Sequence, residues 1–215
     1  EKSIKEMQEK KDKIIDKEFQ KKFSIGNLTK GKNLIIVETA KKYIDNFLKK
    51  ELKDINEGNT IKILGIETEF ETIINLSSEL KNIKIRGKID RIDSVNGTTR
   101  VIDYKTGGQV KQTDLNIKEY DKIFEDKKYS NIFQLLFYSL AIEKDKKYNF
   151  PVENGIISFR NLSIGPLKTT FLDKSNLVTP EKLKDYKKGL ERLIIEILDI
   201  DTSFKEKKIE ENNRY

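Results

Sequence analysis

Two aspartates and two lysines stand at spacings that a β-hairpin would gather. The run 84–108 holds two alternating apolar segments around Asn96-Gly97. That dipeptide between such segments predicts a two-residue hairpin turn. Val95 then faces Thr98, Asp93 faces Arg100, Ile92 faces Val101 and Arg91 faces Ile102. Extended further, the register sets Asp90 opposite Asp103 and Lys88 opposite Lys105. Directly opposed residues share a face, as do residues two apart on one strand. Like charges directly opposed destabilise a strand pair by up to about 1 kcal/mol. A divalent cation would offset that repulsion, and so would a shared proton. Alternatively, the two aspartates face solvent and pair with Lys88, Lys105, Arg86 or Arg91. A one-residue slip at the turn would place them on opposite faces. Asp93 and Arg100 read as a cross-strand ion pair of the kind any surface hairpin uses.

Composition narrows the chemistry. The 215 residues include no His, no Cys and no Trp. This excludes a Ser-His-Asp triad, an imidazole base, a cysteine nucleophile, disulfides and thiolate or imidazole metal ligands within the chain. Catalysis must use carboxylates, Lys, Tyr, Ser, Thr or a metal held by oxygen, and oxygen donors point to Mg²⁺ or Mn²⁺. Lys and Arg number 43 against 36 Asp and Glu, for a net charge of +7. That balance is compatible with nucleic acid, but most of it is lysine, and a lysine-rich solvated surface gives the same count. No window approaches the roughly 18 apolar residues that span a membrane.

The elements that must position these residues are legible in outline. Residues 1–22 predict a helix with a thin apolar stripe (Ile4, Met7, Ile14, Ile15, Phe19), and 23–33 a connector. Residues 34–54 predict an amphipathic helix, with Ile36, Ala40, Tyr43, Ile44, Phe47, Leu48 and Leu52 at three- and four-residue steps. The run 61–76 is strand-like, rich in Ile and Thr. Residues 109–128 are polar, a long loop or irregular helix. Residues 129–143 predict a helix apolar nearly all round, hence buried. GIISF (155–159) predicts a short strand, and KTTFL (168–172) a possible returning one. Thr179-Pro180 predicts the start of a last helix running to about residue 200. Strands clustered between helices predict an α/β fold, a mixed central β-sheet flanked by helices. The expected division is a helical extension over 1–54, a core over 55–205 and a charged tail over 206–215.

Asp-x-Lys is a weak motif in so lysine-rich a chain, since Asp126-Lys128, Asp145-Lys147 and Asp185-Tyr186-Lys187 fit it too. Asp103-Tyr104-Lys105 differs in its setting: it ends an apolar strand, follows a hairpin and precedes Thr106-Gly107-Gly108. Three segments occur in order: Gly87-Lys88-Ile89-Asp90-Arg91-Ile92-Asp93, Val101-Ile102-Asp103-Tyr104-Lys105-Thr106-Gly107 and Gln134-Leu135-Leu136-Phe137-Tyr138. Together they resemble the PD-(D/E)XK nuclease superfamily, in particular its RecB/AddB-type branch. Glu67-Thr68-Glu69-Phe70 resembles that family's Glu-containing strand, and 155–162 and 179–204 resemble the C-terminal nuclease domain of AddB-like proteins. The resemblance covers about residues 30–205.

The resemblance implies a restriction-endonuclease-like core that hydrolyses phosphodiesters in DNA, within a bacterial helicase–nuclease of recombination and repair in the cytoplasm. It implies Asp90 and Asp103 as metal ligands for Mg²⁺ or Mn²⁺ and Lys105 as the motif lysine. Gln134 and Tyr138 would support the site from one helix face, with Glu67 as a weaker candidate beside Glu69. Partners would be DNA and a helicase subunit or upstream domains of the same polypeptide. A different reading keeps the fold as a DNA-binding or assembly module without complete catalysis. A third makes the aspartate pair purely structural. Many family members carry a metal-ligating His upstream of the aspartate motif, and this chain has none; the expectation is a C-terminal portion of a longer protein. Related nucleases often hold an iron–sulfur cluster on four Cys, which no residue of this chain can ligate.

Overall fold

The computed structural model describes residues 2–22, 28–76 and 82–204. Helix α1 (Lys2–Lys22) packs on α2 (Gly31–Asn56) and buries no residue fully, as its thin stripe predicts. Helix α2 begins three residues before the apolar periodicity does, inside the expected connector. Three antiparallel strands follow: β1 (Ile61–Ile74), β2 (Ile83–Val95) and β3 (Thr98–Lys105). The polar stretch after β3 forms a 3₁₀ turn and a one-turn helix, α3 (Lys122–Glu125). Helix α4 (Ser130–Ile142) then leads to β4 (Val152–Ser158), which lies parallel to β3. A long crossover is what two parallel neighbours require. Two two-residue strands, β5 (Leu167–Lys168) and β6 (Leu177–Val178), both pair antiparallel with β4. Helix α5 (Pro180–Leu198) closes the described chain; the Thr179 hydroxyl accepts from the Lys182 N–H, and Pro180 fills the first turn. The returning strand is thus shorter than KTTFL, and β6 carries no periodic signal. The charged tail lies outside the described residues.

The result is a mixed six-stranded sheet flanked by helices, with order β1-β2-β3-β4-β5 and β6 beside β4. Helix α4 is the hub of the apolar core. Ile132, Leu135, Leu136 and Leu140 join Ile89, Ile92, Val101, Val152 and Ile156 of the sheet and Leu183, Tyr186 and Leu190 of α5. A helix apolar on all sides has no solvent face to offer, so it sits between the sheet and α5. Ser139 makes its hydroxyl compatible with that core by donating to Leu135 O, and it accepts from Asn154 on β4. The other side of β3 and β4 meets α2. Phe47 stands 5.7 Å from both Tyr104 and Phe159, and Tyr43 stacks on Phe159 at 6.0 Å. Each face of β3 is therefore covered by a different helix, and alternate residues of Asp103-Tyr104-Lys105 meet different surroundings.

Candidate active site

The hairpin turn takes the predicted form. Asn96 (φ 51°) and Gly97 (φ 89°) are both left-handed, the signature of a type I′ turn. The predicted register holds from Val95–Thr98 through Arg91–Ile102. There the ladder ends. Asp90 Oδ2 accepts from the Tyr104 N–H at 2.8 Å, so a side-chain oxygen takes the place of the next strand carbonyl. Asp90–Asp103 and Lys88–Lys105 are accordingly not ladder pairs, which corrects the extrapolated register. The interruption is shared by β1, where Glu67 has φ 49° between the pairs Ile66–Arg91 and Thr68–Ile89. Lys88 does not stand beside Lys105: its ammonium lies 2.9 Å from Glu67 Oε2 on a half-exposed surface.

Asp103, Lys105, Gln134 and Tyr138 come together in one chain of contacts. Asp103 is buried, with 3% of its surface exposed. Lys105 Nζ lies 2.7 Å from Asp103 Oδ2, close enough for an ion pair, yet Oδ2 is enclosed without a hydrogen bond of normal geometry. Lys105 also donates to Gln134 Oε1 at 2.9 Å, and Gln134 Nε2 donates to the Tyr138 hydroxyl at 2.8 Å. Residues 134 and 138 share a helix face, so α4 fixes the lysine from one side while β3 supplies it from the other. Burial pushes the Asp103 carboxyl above its usual range; Lys105 pulls it back, and the charge of Asp90 pushes it up again. Burial likewise raises the Tyr138 phenol, with Asp103, Asp90 and Glu67 adding to the effect and Gln134 opposing it. Three carboxylates thus bear on one phenol, and Glu67 rather than Glu69 is the acid of β1 that does so.

Behind the site lies an ionic cluster that the sequence reading assigned to the surface. Asp93 is fully buried and accepts from Arg91 Nε at 2.6 Å, Arg100 Nε at 2.8 Å and Arg100 Nη2 at 2.7 Å. Arg91, 2% exposed, also donates to Glu51 of α2 at 3.0 Å and to the Tyr104 hydroxyl at 3.2 Å. Burial works against the Arg91 charge, but Tyr104, Asp93 and Glu51 outweigh it and raise its pKa. A signal for this was present: Ile89, Ile92, Val101 and Ile102 around these charges already mark strands buried on both faces.

A model of the PD-(D/E)XK nuclease superfamily matches residues 2–208. The chain belongs to that superfamily. The match reaches through α1, beyond the span of about 30–205 expected from the motifs. No curated protein matches the chain. Membership indicates a nuclease, with DNA as the implied substrate, and PD-(D/E)XK nucleases generally use divalent metals such as Mg²⁺. Among the described residues no three or more of His, Cys, Asp and Glu gather into a metal site. Two carboxylates nonetheless fit the ion. Mg²⁺ is held by one or two carboxylates, with water and substrate phosphate completing its shell. The enclosed Asp103 carboxylate, paired with Lys105, and the Asp90 carboxylate, bonded to the N–H of the next residue, Tyr104, are oxygen donors of that kind. No helix among the described residues is long and apolar enough to cross a membrane.

Proposed function

We propose that this chain is the metal-dependent deoxyribonuclease domain of a bacterial recombination and repair helicase–nuclease of AddB type, acting in the cytoplasm. The reading is carried by one observation: the buried Asp103 carboxylate is paired at 2.7 Å with a lysine that a Gln-Tyr pair holds in place. Asp90 and Asp103 would hold Mg²⁺ or Mn²⁺, which when bound neutralises phosphate charge and makes water more acidic. Lys105 is a preorganised cation for the charge that builds on the phosphate oxygens. Gln134 keeps the ammonium directed, since its amide oxygen faces Lys105 while its amide nitrogen is engaged by Tyr138. Glu67 would border the site from β1, its charge paired with Lys88. In the hydrolysis a water oxygen bonds to phosphorus, one bridging P–O bond breaks, and the leaving oxygen takes a proton. A helicase subunit, or domains of the same polypeptide, would feed the DNA strand to this site.

Among the described residues no three acidic groups gather into a metal site, which favours a second reading, a DNA-binding or assembly module that keeps the nuclease fold. Cleavage of linear single- and double-stranded DNA with Mg²⁺ or Mn²⁺ separates the two. The nuclease reading expects metal-dependent cleavage, abolished in Asp103→Ala and reduced at least about 100-fold in Lys105→Ala, the scale for losing one preorganised charge contact. Salt-sensitive DNA binding without cleavage, equal in both variants, would establish the module instead.

A further inference from the structure

We infer that Arg160 is a DNA-phosphate contact, and that the substrate strand crosses the carboxyl ends of β3 and β4 to reach Lys105. The inference rests on the nuclease reading and adds a binding residue and a path to it. In open α/β sheets, ligands lie outside the carboxyl ends of the parallel strands. Here β3 and β4 are the parallel pair, and they end side by side at Lys105 and Ser158. The next contact past the ladder joins the Phe159 N–H to Lys105 O at 3.0 Å. Arg160 is the following residue, so it leaves the sheet beside the lysine of the motif.

Three other arginines among the described residues have carboxylate partners. Arg91 and Arg100 close on Asp93, and Arg192 pairs with Asp121; Arg86 stands across from Glu71 in the β1–β2 register, but Glu71 pairs with Lys84. Arg160 is exposed and has no carboxylate partner among the described residues. Its backbone is held by Phe159, whose ring lies 5.5 Å from Tyr104 and 5.7 Å from Phe47. Across the end of the sheet, Gly107 and Gly108 have nothing within 4 Å of the point where a side chain would start. An exposed, uncompensated guanidinium one residue past the Phe159–Lys105 contact, with the side-chain-free Gly107-Gly108 following that lysine, suits a bridging phosphodiester. The planar fork of arginine can hold two phosphate oxygens, which lysine cannot do.

The test pairs two measurements on the whole chain. Binding of a fluorescein-labelled 20-nucleotide oligothymidylate is followed by anisotropy in EDTA between 50 and 200 mM KCl. Cleavage of the same oligonucleotide is followed with Mg²⁺. Arg160→Gln is expected to bind about tenfold more weakly, to lower the log–log salt slope by about 0.7 for one lost phosphate, and to raise KM with kcat unchanged. Arg160→Lys should restore the slope and only part of the affinity, and Arg86→Gln should match wild type. Both Arg160 variants should keep the wild-type Tm, because no contact within the chain is lost. An unchanged slope and KM in Arg160→Gln, with wild type binding and cleaving normally, would overturn the inference and leave the nuclease reading intact. So would a Tm lowered by several degrees, which would mark a structural role. A wild-type chain that neither binds nor cleaves would instead remove the nuclease reading, and this inference with it.

Discussion

Removing Arg91 tests whether the cluster behind the active site holds the hairpin together. Arg91→Met keeps the length and apolar stem but deletes three donated hydrogen bonds, to Asp93, Glu51 and Tyr104. Breaking one partner out of a buried ion pair typically costs about 3–5 kcal/mol, because the other charge stays buried. The structure places this substitution at the lower end. Asp93 retains two bonds from Arg100, and Glu51, 12% exposed, can turn towards water. We therefore expect a loss of about 3 kcal/mol, or a Tm lower by about 6–12 °C for a chain of this size. Asp93→Ala should cost more, about 4–5 kcal/mol, since it takes a carboxylate from two guanidiniums at once and leaves Arg91 only Glu51 and Tyr104. A domain typically holds 5–15 kcal/mol in all, so the second variant stands near the limit of folding. Urea unfolding followed by circular dichroism gives both values, provided the slope m stays constant. A loss below about 1 kcal/mol in Arg91→Met, or a smaller loss in Asp93→Ala, would refute the reasoning.

Two further outcomes follow from the site. The Asp103 carboxyl is raised chiefly by burial, so its protonated form is favoured by folding; that contribution is full below the ordinary carboxylate range, about 3.9, and is lost as pH rises through the higher folded value. Asp103→Asn cannot ionise, so with metal chelated it should exceed wild type in Tm at neutral pH, with the gain shrinking towards pH 4; an equal difference at both pH values would contradict this. The left-handed backbone at Glu67 (φ 49°) costs a residue with a Cβ about 1–2 kcal/mol. Glu67→Gly should therefore be about 1 kcal/mol more stable than Glu67→Ala, the reverse of the usual order within a strand, and urea midpoints showing Ala the more stable would sink the idea.

Much of this arrangement was legible in the residues. Asn96-Gly97 specifies its own turn through two left-handed residues, and the pairs from Val95–Thr98 to Arg91–Ile102 follow from it. The all-round apolar character of 129–143 marks a helix buried between two layers. What could not be read is where regular pairing stops. The Asp90 carboxylate competes with a strand carbonyl for the Tyr104 N–H, and the winner depends on the divergence of β2 from β3 and on the kink at Glu67, neither of which has a local code. Lys88 was expected beside Lys105 for this reason and pairs with Glu67 instead. Asp93 and Arg100 were misplaced because charge signals surface, whereas their burial depends on Glu51 and Phe47 arriving from a distant helix. The strands β5 and β6 are two residues long, too short for any periodicity. Arg160 has no motif around it; only the shared end of β3 and β4 singles it out.

The contacts that assemble the site close loops of very different length. Asp90 reaches Tyr104 across 14 residues, Lys105 reaches Gln134 across 29, and Arg91 reaches Glu51 across 40. Loop-closure entropy rises by about 0.6 kcal/mol for each doubling, so closing the second and third loops costs about 0.6 and 0.9 kcal/mol more than closing the first. The acidic pair is therefore a short-range product of one hairpin, available early on the way to the native state. The ammonium acquires its glutamine partner only when α4 docks, and the rear of the hairpin is locked only when α2 does. Electrostatic frustration is built in first and relieved from outside, which makes the docking of these two helices the step that decides whether a folded chain is also an active one.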